Sequence, residues 1–240
     1  MASMFALANP KRFMDMSAKF LPWLWIVATL ALVSGVILGF RAPPDYQQGT
    51  TVKIMFLHVP AAWTAMMAYG LMAVSSFFSL IWRHPLADVA AKAAAPLGAI
   101  FTVLGLATGS LWGRPMWGTY WVWDARLTSF LLLLFLYLGY MALWNAIEDE
   151  VRAARAASIF ALVGAVNLPI IEFSVKWWNT LHQGESILRA GGPEISAVFL
   201  WPLGLSALGY TLLFFALWTV RIRTEILERR ARSLMLKGQT

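Results

Sequence analysis

The sequence predicts an all-α integral membrane protein with six transmembrane helices. Of its 240 residues, 60% are hydrophobic and 13% are charged, and the mean hydropathy is +0.65, whereas about 25% of the residues of a soluble domain are charged. The apolar runs do not alternate with polar residues as the strands of a membrane barrel would. Residues 1–240 are expected to form a single polytopic membrane domain. The spans are placed at about 22–40, 56–82, 94–111, 127–145, 156–173 and 198–220, each near the length that crosses a bilayer.

The first three spans carry the signals of membrane helices. Basic residues precede the first span, but it exceeds the roughly 7–15 apolar residues of a signal peptide and no small-residue cleavage site follows it. We therefore expect it to remain as a helix. Gly35 with Gly39 in the first span, and Gly105 with Gly109 in the third, are spaced to let another helix approach closely.

The last three spans are bounded by polar residues. Asp124 stands before the fourth span, in the sequence DARLT, where its carboxylate can accept the free N–H groups of a helix N-terminus. Pro169 is expected to bend the fifth span near its outer end, with Glu172 beyond it at the membrane interface. The stretch 174–197 is too short to hold a core of its own. The basic tail RIRTEILERRARSLMLK follows the sixth span and is expected to lie against anionic lipid or an ATPase partner.

The distribution of charge predicts the orientation. Six spans place both termini on one side of the membrane, together with the 83–93 and 146–155 loops. Thirteen of the nineteen Lys and Arg residues fall on that side, which predicts that the termini are cytoplasmic. The tryptophan-rich loop at 112–126 is then external. The six basic residues on its side are Arg41, Lys53, Arg114, Arg126, Lys176 and Arg189.

The sequence also excludes several kinds of chemistry for this chain. Because it has no cysteine, it forms no disulfide, thiolate metal site, iron–sulfur cluster or covalent haem attachment of its own. It has no G-x-x-x-x-G-K-[ST] loop, so any ATP hydrolysis must come from a partner subunit. The net charge of +7 is attributed to membrane orientation rather than to nucleic-acid binding.

Three histidines are the residues able to bind a transition metal through nitrogen. His84 lies on the cytoplasmic side and is expected to be an ordinary loop residue. His58 opens the second span in FLHVPAAW, and His182 lies in KWWNTLHQGES between the fifth and sixth spans, so both are external. A lone histidine at a helix start is more often structural. Two at one membrane depth suggest a metal held between two imidazoles, as in histidine-ligated haem.

The stretch WGRPMWGTYWVWD at 112–124 places four tryptophans and a closing aspartate on the same side. Their flat rings could support a porphyrin. An interfacial aromatic belt would explain any one of these tryptophans equally well, although four in one short loop are harder to attribute to a belt. If residues 116–127 were helical, Trp117, Trp121 and Asp124 would share one face.

Residues 117–124, WGTYWVWD, match the W-G-x-x-W-x-W-D signature of the WWD-motif superfamily of haem-handling membrane proteins. With the chain length, the six spans, the sequence HVPAAW and the second external histidine, they resemble the CcmC family, a component of the bacterial cytochrome c maturation system. The resemblance covers essentially the whole chain. The larger haem lyases of this superfamily carry additional spans and a further pair of intramembrane histidines, whereas no histidine here lies in the middle of a span.

The resemblance implies a function. A protein of this kind binds haem b non-covalently at the periplasmic face of the inner membrane and presents it to the chaperone CcmE. It works with CcmA, CcmB and the single-span CcmD, with CcmA as the ATPase, and is not itself an enzyme. By position, His58 and His182 match the two axial ligands. The haem-edge platform matches Trp117, Gly118, Trp121, Trp123 and Asp124, flanked by Trp112 and Arg126.

Two other classes of protein stay open. A membrane-anchor b-type cytochrome that passes electrons to quinone usually needs histidines facing each other inside the bundle, and this sequence has none there. A structural scaffold without a cofactor would require the tryptophans to be only a belt. If haem binds, Arg126 is the first candidate to meet a propionate and Lys53 the next, with interfacial snorkelling as the alternative for each.

Overall fold

The computed structural model describes residues 9–182, 184, 187 and 191–237, and within these residues the chain is helical with no β-strand. Six helical stretches are long and apolar enough to cross a membrane, which confirms the predicted fold class. A short 3₁₀ turn, Thr50–Ile54, leads directly into the second span, and two shorter helices together form the fifth. The α-helices are α1 (Pro10–Arg41), α2 (Met55–Trp82), α3 (Ala87–Trp117), α4 (Ala125–Ala146), α5 (Glu150–Gly164), α6 (Asn167–Trp177) and α7 (Ala197–Lys237).

Helix α3 is longer than the apolar run that predicted it. It continues to Trp117, so the non-helical connection to α4 covers 118–124 instead of the expected 112–126. Gly118 ends the helix with a φ of +77°, a left-handed conformation that glycine adopts readily, and its N–H bonds to the carbonyl of Arg114. The helical register considered for 116–127 is therefore not adopted, because the chain turns at this glycine.

The fifth span is broken a few residues before Pro169. Helix α5 ends at Gly164, and Pro169 is the third residue of α6. Because proline has no N–H and its ring crowds the carbonyl four residues earlier, it cannot continue the regular bonding to Ala165. The N–H of Leu168 bonds to that carbonyl instead, at 3.1 Å. The sequence identified the proline, but the break lies upstream of it.

Helices α2 and α3 form the centre of the bundle, and α1 packs along the outside of α7. Small residues set the distance between α1 and α7. A Cβ atom added at Gly35 would lie 2.8 Å from the carbonyl carbon of Leu205, and one added at Gly209 would lie 2.5 Å from the Cα of Leu32. The predicted close approach at Gly35 is therefore used inside this chain.

One end of the bundle is fixed by polar contacts from α7 to the beginnings of α1, α3 and α5. Arg223 donates to the carbonyl of Met14 at 2.7 Å, which brings the two terminal regions to the same face. This face is the one that the charge pattern predicts to be cytoplasmic. Arg189, counted on the opposite face, lies outside the described residues. The ion pairs at this end include Lys92–Glu225, Asp88–Arg229 and Glu150–Arg232.

Candidate functional site

A cavity of about 880 Å³ lies at the end of the bundle opposite these ion pairs. Its wall includes residues 43–48, which we call the first external connection because the charge pattern predicts that this side is external. The ends of α2, α3, α4 and α6 on the same side, and the connection before α7, complete the wall. A volume of this size is within the roughly 300–1,000 Å³ typical of ligand sites. The lining includes six residues proposed from the sequence: His58, His182, Trp112, Trp117, Trp121 and Arg126.

His58 is held in the first turns of α2 by contacts with α3. Its Nδ1 lies 3.0 Å from the Gly105 carbonyl oxygen and 3.2 Å from the Thr108 hydroxyl. The carbonyl can only accept, which assigns the proton to Nδ1. Nε2 is then the unprotonated nitrogen, free to bind a metal. A Cβ atom at Gly109 would lie 2.8 Å from the imidazole Cε1, so this glycine makes room for the ring.

Trp112 joins His58 to the first external connection. The two rings meet edge to face with 5.7 Å between their centroids. The indole N–H of Trp112 donates to the side-chain oxygen of Gln48 at 3.1 Å. The last turns of α3 thus contact the imidazole of His58 and also anchor the first external connection, which lines the cavity.

His182 lies in the connection after α6 and contacts the end of α3 and the beginning of α4. Its ring meets the ring of Trp117 edge to face, with 4.9 Å between the centroids. Burial lowers the pKa of the His182 imidazole, the charge of Arg126 lowers it further, and Asp124 acts in the opposite direction. The net lowering favours the neutral imidazole, which is the form that binds a metal.

Asp124 is the N-cap of α4, as the sequence predicted. One carboxylate oxygen accepts the N–H of Leu127 at 2.7 Å. The other oxygen lies 3.6 Å from Nδ1 of His182. Asp124 does not line the cavity itself. It approaches the site only through its contact with His182.

The remaining residues of the WWD motif differ in position. Trp121 lines the cavity, and its indole N–H is buried with no hydrogen bond to any described residue. Trp123 is 75% exposed and packs edge to face against Trp121, outside the cavity lining. Gly118 is also outside the lining and serves as the C-cap of α3. The motif therefore divides into a wall, an exposed rim and two helix ends.

Of the two basic residues proposed to meet a propionate and the third histidine, the fold places one at the cavity and two away from it. Arg126, in the first turn of α4, lines the cavity, whereas Lys53 lies in the 3₁₀ turn outside the lining. His84 follows α2 at the opposite end of the molecule, where its Nδ1 accepts the N–H of Leu86 at 3.3 Å. His84 thus lies in a loop away from the cavity, as the sequence predicted.

Sequence reasoning missed the contribution of the first external connection. Residues 43–48, with the sequence PPDYQQ, line the cavity, as do Glu172 on α6 and Glu194 before α7. A polar run that begins with two prolines, placed shortly before His58, was a signal that this segment is held in a defined conformation. Nothing in the local pattern indicated its hydrogen bond to Trp112.

The side chains present fit a planar macrocycle that contains a metal. His58 and His182 would supply imidazole nitrogens to the metal of such a ligand. The tryptophan rings offer apolar faces to the macrocycle. The unpaired N–H of Trp121 and the guanidinium of Arg126 offer donors for acidic substituents such as haem propionates.

Comparison with known proteins also points to a haem-handling protein. A model of the family described as Heme exporter protein C matches residues 3–237. A Heme exporter protein C of Bradyrhizobium diazoefficiens is 60% identical over 230 residues, covering 96% of this chain and 88% of the relative. One from Paracoccus denitrificans is 48% identical, covering 98% of each chain. One from Escherichia coli K12 is 50% identical, covering 92% of this chain and 89% of the relative.

Proposed function

This chain belongs to the Heme exporter protein C family and so handles haem for cytochrome c maturation, and we propose that it binds haem b at the periplasmic face of the inner membrane and delivers it to the chaperone CcmE. One observation carries this proposal. His58 and His182, more than a hundred positions apart in the sequence, line one cavity together with Trp112 and with Trp117 and Trp121 of the WWD motif.

The two histidines have different supports. His58 belongs to a long helix and is fixed through Nδ1 by the backbone of α3. His182 belongs to an irregular connection and is supported by Trp117 and Asp124. The two candidate ligands are therefore supported differently, His58 by helix backbone and His182 by side chains of other segments.

Delivery requires an exposed face. Trp123 is on the rim, and Tyr46 in the first external connection is almost fully exposed while still lining the cavity. Together they offer an aromatic surface beside the open edge of the site, where a periplasmic chaperone can dock. Arg126 would hold a propionate and so determine which haem edge faces outward.

We also propose that the chain works within a membrane complex. CcmA, CcmB and CcmD are the expected partners, with CcmA supplying the ATPase activity. Helix α7 extends to Lys237, well past the apolar span, and its tail is rich in arginine. A rigid, basic helix extending from the membrane is a suitable attachment for a cytoplasmic subunit.

The test is haem loading of CcmE in cells whose only protein of this family is the present chain. We expect haem to be attached to CcmE in the wild type, and replacement of either His58 or His182 to abolish this loading while quinone reduction stays unchanged. If the His58 and His182 variants instead lost quinone reduction and still loaded CcmE with haem, the result would favour a b-type cytochrome and overturn the proposal.

A further inference from the structure

The two oxygens of the Asp124 carboxylate have separate surroundings. One caps α4 through the N–H of Leu127, which defines the orientation of the carboxylate. The other is buried with no hydrogen bond to a described residue, and so is Nδ1 of His182, 3.6 Å away. The two side chains are 6% and 23% exposed. Two complementary polar atoms are thus left facing each other, slightly beyond hydrogen-bond distance.

We infer that Asp124 is a positioning residue that accepts the Nδ1–H of His182 and so presents Nε2 of that imidazole to the iron. The inference rests on the proposed function, since it assigns a role within the same site. The separation of 3.6 Å exceeds the usual N–H···O range of about 2.7–3.2 Å by less than about 1 Å, and the edge contact with Trp117 limits the orientations available to the ring. Metal-binding histidines commonly donate their second N–H to a carboxylate in this way.

The fold supports a negative charge at this position. Asp124 stands at the N-terminus of α4, where the free N–H groups and the helix dipole stabilise an anion. The same residue therefore fixes the beginning of α4 and the orientation of the imidazole. Arg126, the second residue of the helix, lines the cavity, so the ligand support and the candidate propionate partner are carried by one helix end.

The two axial positions are consequently not equivalent. Nδ1 of His58 faces the neutral carbonyl of Gly105 at 3.0 Å, whereas Nδ1 of His182 faces a carboxylate. A carboxylate draws the N–H proton more strongly, which makes Nε2 a better electron donor and favours the oxidised iron. Asp124 would therefore lower the reduction potential of a bound haem through His182 more than the neutral carbonyl of Gly105 would through His58.

The experiment compares Asp124→Asn with Asp149→Asn in the purified, haem-loaded protein. Asparagine is also a good N-cap, so α4 keeps its beginning while the negative charge is removed. Asp149 is the matched control, because it caps α5 with the same geometry, 2.7 Å to the N–H of Arg152, and it lies at the opposite end of the bundle. We expect Asp124→Asn to weaken haem retention about 10- to 100-fold and to shift the reduction potential to more positive values. Asp149→Asn should change neither.

A second pair of variants distinguishes positioning from a general effect on the fold. In a His182→Ala background, Asp124→Asn should have no further effect on haem retention, whereas in a His58→Ala background its effect should persist. An effect of equal size in both backgrounds would overturn the inference, as would an unchanged potential in Asp124→Asn. In either case haem bound by the wild-type protein would leave the proposed function standing, and a wild-type protein that binds no haem would overturn both.

Discussion

The ring of Trp112 meets the ring of His58 edge to face, with 5.7 Å between the centroids, while its indole N–H is bonded to Gln48. One side chain therefore supports a candidate iron ligand and ties down the first external connection. The relationship joins two parts of the molecule, a rigid helix end and an irregular segment, that must come together to form the cavity.

Two replacements of Trp112 distinguish its ring contact with His58 from its hydrogen bond to Gln48. Trp112→Ala removes the ring contact and is expected to weaken haem retention about two- to tenfold, since an aromatic pair contributes roughly 0.5–1.5 kcal/mol. Trp112→Phe keeps an aromatic ring beside His58 and loses the bond to Gln48, so retention should fall less. The measure is haem per purified protein. Trp201→Ala is the control, because Trp201 is exposed on α7. Equal losses in Trp112→Ala and Trp201→Ala would contradict the assigned contact.

Arg126 and Lys53 form a second test. Both are external by the predicted topology, but only Arg126 lines the cavity. Arg126→Gln should lower haem occupancy and delivery to CcmE because a propionate loses its charged partner. Lys53→Gln should change neither. Unchanged occupancy and delivery in Arg126→Gln would remove the proposed role.

The tryptophans should divide between holding haem and delivering it. Trp117→Ala removes the edge contact to His182 and should reduce retention. Trp123→Ala, at the exposed rim, should leave most of the haem bound and reduce loading of CcmE. Changing Trp117, Trp121 and Trp123 together should reduce loading further than it reduces bound haem. Haem per protein and haem-loaded CcmE are measured in the same cells, and a proportional loss of the two in every variant would refute this division.

The ion pairs at the other end should affect stability without affecting haem. Glu225 is only 8% exposed and lies 2.7 Å from Lys92. Lys92→Met leaves a buried carboxylate with Arg221, at 3.8 Å, as its remaining partner, so we expect a cost of about 1–3 kcal/mol in the free energy of unfolding. Glu150→Gln, in a pair exposed to solvent, should cost less than about 1 kcal/mol. Thermal unfolding in detergent provides the comparison, and a larger effect from Glu150→Gln would contradict the difference in burial.

The sequence predicted those features that depend on local pattern. Hydropathy located the six spans because each apolar run is long enough to cross a bilayer, and Asp124 was identified as an N-cap from its place before an apolar run. The pairing of His58 with His182 rested on membrane depth and family resemblance. The structure adds that both line one cavity.

Other features depend on contacts that local pattern does not contain. The bond from Trp112 to Gln48 spans 64 positions, and the approach of Asp124 to His182 joins two separate connections. The extent of α3 was underestimated because hydropathy falls after 111, at Gly113, Arg114 and Pro115, whereas the helix continues until Gly118 turns the chain. Hydropathy reports where a helix crosses the membrane and not where it ends.

The visible absorption spectrum of the purified protein and of its three single His→Ala variants shows whether haem is held between His58 and His182. We expect a low-spin haem spectrum in the wild type and in His84→Ala, and weakened haem retention in His58→Ala and in His182→Ala. Loss of haem from the His84 variant, with retention by the other two, would contradict the assigned site and the predicted topology together.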